Sequence, residues 1–183
     1  RLYDPTSGVI TVDGVDLRDL DTTVLRQQVS VLFQDWAAYH VSARDNIWFG
    51  DPRPETDDER IRRAARDAGA DEVIARLGRG YQTVLGKWFE HGEELSLGEW
   101  QKIALARAFV RDAPIVVLDE PTSFLDAQAE RDVFDRFQRL AAGKTTILIS
   151  HRLSTVRMAD RIYVLQDGRI VESGRHDELM ARG

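Results

Sequence analysis

Cysteine is absent, proline occurs five times and histidine four, and basic charge is not in excess: 25 Lys and Arg stand against 31 Asp and Glu, a formal net charge of −6. Without cysteine there is neither a disulfide framework nor a thiolate metal site. The four histidines, His40, His91, His151 and His176, are scattered with no zinc-like spacing. No apolar run reaches the roughly 18 residues of a membrane span, and Arg1-Leu2-Tyr3-Asp4-Pro5 carries no signal-peptide core. The acidic balance argues against nucleic acid as a partner, because phosphate backbones are met by basic faces. What is there is 183 residues, 43% hydrophobic and 31% charged, the composition of one folded soluble domain, cytosolic in character.

Two kinds of pattern alternate along the chain. Val9-Ile10-Thr11-Val12 before Asp13-Gly14 predicts a strand and tight turn, and Val29 to Phe33 a second, buried strand. From about Trp36 to Val110 the periodicity is helical. Thr56 with Glu59 forms a predicted capping box for a helix that ends at Gly69, and Asp71 to Leu77 a shorter helix closed by Gly78. After Pro114 strand and helix alternate. Ile115-Val116-Val117-Leu118 is an unbroken apolar run of the kind found in parallel strands covered on both faces. Ala127 to Ala142 carries Val133, Phe134, Phe137, Leu140 and Ala141 at helical spacing before Gly143. Thr145 to Ile149 predicts another buried strand, and Ile162 to Val171, turning at Asp167-Gly168, a hairpin. The expected fold class is α/β, with a mostly parallel sheet. Residues 1–35 and 111–183 form the core lobe, and 36–110 an inserted α-helical subdomain.

Chemistry concentrates in two places. The apolar strand delivers Asp119 and Glu120 to its C-terminal end, where open α/β sheets place ligands. One carboxylate can hold Mg²⁺ while the other polarises a water, or both can cap a turn before Pro121. Ser96 and Glu99 form a second capping box, so a helix starts there with unpaired amides and the positive end of its dipole. Such an end is an anion site or a well-capped surface helix. Arg60, Arg62, Arg63 and Arg66 read as a solvated helix face, and Trp48, Trp88 and Trp100 as packing. Trp36 and Tyr39 read as core by size and apolarity.

Leu95-Ser96-Leu97-Gly98-Glu99-Trp100-Gln101-Lys102, the Asp119-Glu120 strand end, Ser123-Phe124-Leu125-Asp126 and His151 together resemble the ATP-binding domain of ABC transporters, of the exporter type fused to a membrane domain. Tyr3-Asp4-Pro5-Thr6-Ser7-Gly8, Leu32-Phe33-Gln34-Asp35, Asp45-Asn46-Ile47 and Gly174 to Leu179 match in the same order, so the resemblance covers essentially the whole chain. It implies a RecA-like core. It implies ATP and Mg²⁺ as ligands, with Glu120 as catalytic glutamate, His151 as switch histidine, and Gln34 as the Q-loop glutamine contacting Mg²⁺ or the attacking water. Asp119 would be the Walker B aspartate and metal ligand. Leu95, Ser96, Leu97, Gly98, Glu99 and Gln101 would form the signature that closes on a partner's nucleotide, and Asp126 would end the D-loop at the dimer interface. The implied partners are a second nucleotide-binding domain, head to tail, and a transmembrane domain; only the resemblance implies that Trp36 and Tyr39 line a docking groove for the latter. The implied location is the cytoplasmic face of the membrane.

The sequence departs from that family at three points. The signature Leu-Ser-Gly-Gly-Gln has Leu97 and Glu99 in place of a Gly and the Gln, and Gly86 to Gly92 differs from the usual exporter-type approach to it. A Walker A loop, Gly-x-x-x-x-Gly-Lys-Ser/Thr, is missing: Gly143-Lys144-Thr145 has Gln138 where its first glycine belongs and runs from helix to strand. The expectation is a piece cut at both ends, with Walker A and the first strands before Arg1. By itself such a piece binds ATP poorly. Two other readings share these motifs. One is a soluble ABC-type ATPase of DNA repair or chromosome organisation, disfavoured by the compact helical lobe and the acidity. The other is a non-catalytic regulatory module, which Leu97 and Glu99 leave open.

Overall fold

The computed structural model describes residues 3–182, except for the side chains of Ala127, Arg136, Arg139 and Leu140. Leu140, expected on the apolar face of its helix, therefore lies outside the described residues. Strands β1 (Thr11–Val12) and β2 (Val15–Asp16) pair antiparallel, followed by helix α1 (Thr22–Gln27) and strand β3 (Val29–Leu32). Helices α2 (Ala43–Trp48), α3 (Asp58–Ala68), α4 (Asp71–Ile74) and α5 (Leu97–Phe109) make up the middle of the chain. Then come β4 (Ile115–Asp119), α6 (Ala127–Ala141), β5 (Thr145–Ile149), α7 (Leu153–Val156), β6 (Ile162–Gln166), β7 (Arg169–Gly174) and α8 (His176–Met180).

The central sheet is parallel in the order β3-β4-β5, with Leu32 beside Leu118 and Leu118 beside Leu148. Because side chains alternate between faces, Ser30, Leu32, Val116, Leu118, Thr146 and Leu148 share one face. That face joins a single apolar core with Ile47, Ile61, Ile103 and Leu105 of the middle helices and Phe134 and Phe137 of α6. The opposite face corrects the sequence reading of β3 and β5 as buried strands. Val31 is 38% exposed, Ile147 51% and Ile149 50%, and Phe33 just beyond β3 is 62% exposed. Among the described residues the sheet is covered on one side only.

Local chemistry explains most boundaries. Asp13-Gly14 and Asp167-Gly168 take positive φ at both positions, the conformation that two-residue hairpins require. Helix α3 is capped by Asp57, which accepts from the Arg60 amide at 2.9 Å, and not by Thr56 as expected; Thr56 is buried in the loop before it. Gly69 closes α3 at φ 69. Helix α4 stops at Ile74, three residues short of the expected end, because Arg76 and Leu77 bond back to Val73 and Ile74 in a tighter turn. Among the described residues no helix is long and apolar enough to cross a membrane.

Candidate functional site

Parallel pairing puts the C-terminal ends of β3, β4 and β5 on one edge of the sheet, and Gln34, Asp119, Glu120 and His151 all lie at those ends. Glu120 has φ 49, a left-handed conformation that costs a residue with a Cβ roughly 1–2 kcal/mol. It is held there by its own amide donating to Ile149 O at 3.0 Å and by its carbonyl accepting from Ser123 N at 3.2 Å. Its carboxylate is 12% exposed, and Oε1 lies 2.6 Å from Nδ1 of His151, whose ring is 76% exposed. A mostly buried carboxylate against an accessible imidazole can accept and donate protons. Asp119 is half-buried at the last position of β4, and Gln34 is exposed.

Two residues that sequence reading missed fasten this edge. Arg152, next to His151, donates to Glu130 Oε2 at 2.7 Å, to Ser123 O at 3.2 Å and to Leu125 O at 3.4 Å. Glu130 Oε1 accepts from Ser154 Oγ at 2.9 Å and Thr155 Oγ1 at 3.1 Å. Burial raises the Glu130 carboxyl, but these donors outweigh it and leave the group below the usual carboxylate range. No spacing along the chain signals this link, since it joins a helix to a loop more than 20 residues later. Asp126 caps α6, accepting from Gln128 N and Ala129 N at 2.9 Å, and those amides lower its carboxyl.

The start of α5 carries the second cluster. Ser96 and Glu99 form the expected capping box. Glu99 Oε2 accepts from Ser96 N and from Ser96 Oγ, each at 2.9 Å, while Glu99 Oε1 accepts from Arg76 Nη2 at 2.7 Å. Leu95 is buried and Leu97 is 59% exposed. A Cβ on Gly98 would lie 3.1 Å from Phe124 O, so the helix start packs closely on the segment after Glu120. Gln101 is fully buried. Its Nε2 donates to Glu120 O and Ser123 Oγ, each at 3.3 Å, and its Oε1 accepts from Phe124 N at 3.1 Å. The amide thus joins α5 to the Glu120 loop.

Aromatic side chains extend this contact toward Gln34. Trp36 stacks on Trp100 with centroids 6.5 Å apart and meets Phe124 edge-on at 6.3 Å. Trp88, expected to be packing, is 80% exposed and stacks on His40 at 4.9 Å. Tyr39 and Phe49 line an open groove of about 690 Å³ with Leu25, Phe33 and Trp36. Arg107 reaches its floor, donating to Ala37 O, Asn46 O and Asn46 Oδ1 and lying 4.5 Å from the centre of the Tyr39 ring. Arg60 departs from the expected solvated face: it turns inward to buried Asp51 at 3.0 Å and to Val110 O. Gly143-Lys144-Thr145 does join helix α6 to strand β5, and Lys144 Nζ bonds Asp112 Oδ1 at 2.7 Å.

A parallel sheet edge carrying these polar side chains, with a capped helix packed beside it, has known counterparts. A family model described as ABC transporter matches residues 1–123. Over its whole length the chain is 46% identical to an ATP-dependent lipid A-core flippase of Syntrophus aciditrophicus, covering 30% of that protein. It is 45% identical to a human mitochondrial potassium channel ATP-binding subunit, covering 24% of it. Its backbone superposes on all of the described chain with a bacterial Atm1-family ABC exporter with ATP bound, at TM-score 0.89 and 38% identity, covering 31% of that protein. The chain belongs to the ABC transporter family. It is an ATPase domain of that family, homologous to exporters, and spans about a quarter to a third of the length of these relatives.

Proposed function

We propose that this chain supplies the water-activating and nucleotide-closing residues of an ABC exporter that hydrolyses ATP in a head-to-tail dimer to move a substrate across a membrane. The observation that carries this reading is the 2.6 Å contact between His151 and Glu120 at the end of β4. Glu120 accepts the proton of the attacking water, a role suited to a carboxylate walled off from solvent on most sides. His151, bonded to Glu120 through Nδ1, keeps Nε2 for the γ-phosphate, where negative charge develops. Gln34 orients the water or a metal ligand from the neighbouring strand end.

Asp119 and Gln34 offer only oxygen donors suited to Mg²⁺. Mg²⁺ takes most of its ligands from phosphates and water, so two side-chain donors suffice here. When bound, Mg²⁺ neutralises charge on the phosphates. Ser96 and Gly98, with Leu95, Leu97 and Glu99 around them, close over the γ-phosphate held by the partner domain, and Asp126 sits at that dimer interface. Gln101 acts through the Glu120 loop. The groove lined by Tyr39 and Phe49 receives the transmembrane domain, which sets the domain on the cytoplasmic face. Residues 36–110 form the helical subdomain and the rest the core lobe. Residues 1–183 alone turn over ATP poorly because they contain no Walker A sequence.

The test is Glu120→Gln in the intact protein. ATP turnover falls by about 10²–10⁴-fold, the usual range for losing a general base, while ATP binding persists. Unchanged turnover would overturn the assignment.

A further inference from the structure

The signature position that the family fills with Gln is a carboxylate here, and a carboxylate beside a phosphate-binding serine is a repulsive group. The structure shows how that charge is handled. One oxygen of Glu99 is folded back onto Ser96, accepting from both its amide and its hydroxyl at 2.9 Å. The other is met at 2.7 Å by Arg76, whose Nε is itself anchored on Glu72 O at 3.2 Å, in the turn that ends α4. Glu99 is 27% exposed and Arg76 68%, so the pair sits at the surface, where the closing partner would arrive.

We propose that Arg76 is a positioning residue of the signature: it neutralises Glu99 and holds the carboxylate turned back against Ser96, so that a nucleotide phosphate can approach the start of α5. This rests on the ATPase reading above. Partial burial raises the Glu99 carboxyl, but the Ser96 amide and hydroxyl, followed by Arg76, outweigh it and keep the group ionised over the neutral range. Without Arg76 that full charge faces the incoming phosphate.

The experiment measures KM for ATP and kcat in the intact protein, with Arg76→Ala, Arg76→Lys, and Arg76→Ala combined with Glu99→Gln. Arg76→Ala raises KM about threefold, as expected for a surface pair, with kcat within about twofold. Arg76→Lys retains most of the wild-type KM, because a point charge still neutralises Glu99. Adding Glu99→Gln to Arg76→Ala brings KM back to the wild-type value or below, since the charge that Arg76 offset is gone. The KM difference between wild type and Arg76→Ala also shrinks as salt rises from about 0.05 to 0.5 M, because the Debye length falls from more than 10 Å toward a few Å. A merely structural contact would give neither the rescue nor the salt dependence. An unchanged KM in Arg76→Ala, or a raised KM that Glu99→Gln fails to relieve, overturns the inference. Loss of turnover in Glu120→Gln with no KM change in Arg76→Ala leaves the ATPase reading standing and removes this one alone.

Discussion

His151 reaches Glu120 across the sheet edge, Nδ1 to Oε1 at 2.6 Å, although 31 residues separate them in the chain. Parallel pairing of β4 and β5 creates this relationship, with Asp119 beside Ile149 and each candidate residue just past its strand. On the proposed ATPase reading, replacing His151 with Ala should cut kcat for ATP by about 10²-fold or more while changing KM little, because the ring would act on charge that develops during the reaction. Steady-state phosphate release checks this.

Gln101 is the buried connection between α5 and the Glu120 loop. Gln101→Leu leaves the Phe124 amide without its acceptor and should destabilise the domain by about 1–3 kcal/mol. Because the Glu120 carbonyl also loses a donor, turnover should fall further than the loss of folded protein explains. Thermal denaturation and kcat measured on the same preparation separate the two effects.

Glu130 makes the loop after β5 sensitive to acid. Its carboxyl titrates lower in the folded chain than in the unfolded one, so its contribution is complete above the unfolded value, about 4.5. That contribution is lost as pH falls from there through the lower folded value. Glu130→Gln should lower stability at pH 7 by about 2 kcal/mol, through loss of charge-assisted bonds to Arg152, Ser154 and Thr155. It should also flatten the acid side of the stability curve below about pH 4.5, where the wild-type contribution is lost. Urea midpoints across pH test both effects.

Gly50 lies directly against α5. A Cβ there would fall 1.8 Å from Arg107 O, a backbone atom that cannot swing aside. Gly50→Ala should therefore destabilise by about 3 kcal/mol or more, as severe overpacking does, and shift the groove that Tyr39 and Arg107 share. A change in melting temperature below about 2 °C would contradict this packing.

Strand β4, helix α6, the hairpin turning at Asp167-Gly168 and the Ser96–Glu99 box were all legible in advance, whereas the Asp126 cap of α6 was not. Each depends on residues within one helix turn or one hairpin, where composition and spacing act directly. The short helices α1 and α7 gave no periodic signal, because six and four residues are too few to show a face. Thr56 offered a plausible cap that lost to Asp57, one residue closer to the helix.

Local sequence sets which side chains stand at the ends of strands and helices: two carboxylates after an apolar run, a serine before a helix, a histidine after the next strand. Folding decided their company. Glu120 became a mostly buried, left-handed residue bonded to His151, Gln101 turned its amide inward, and Arg152 tied Glu130 to the loop, all by contacts between segments 19 to 31 residues apart. Such contacts exist only once parallel strands are in register and α5 packs beside them, and no local pattern encodes that geometry.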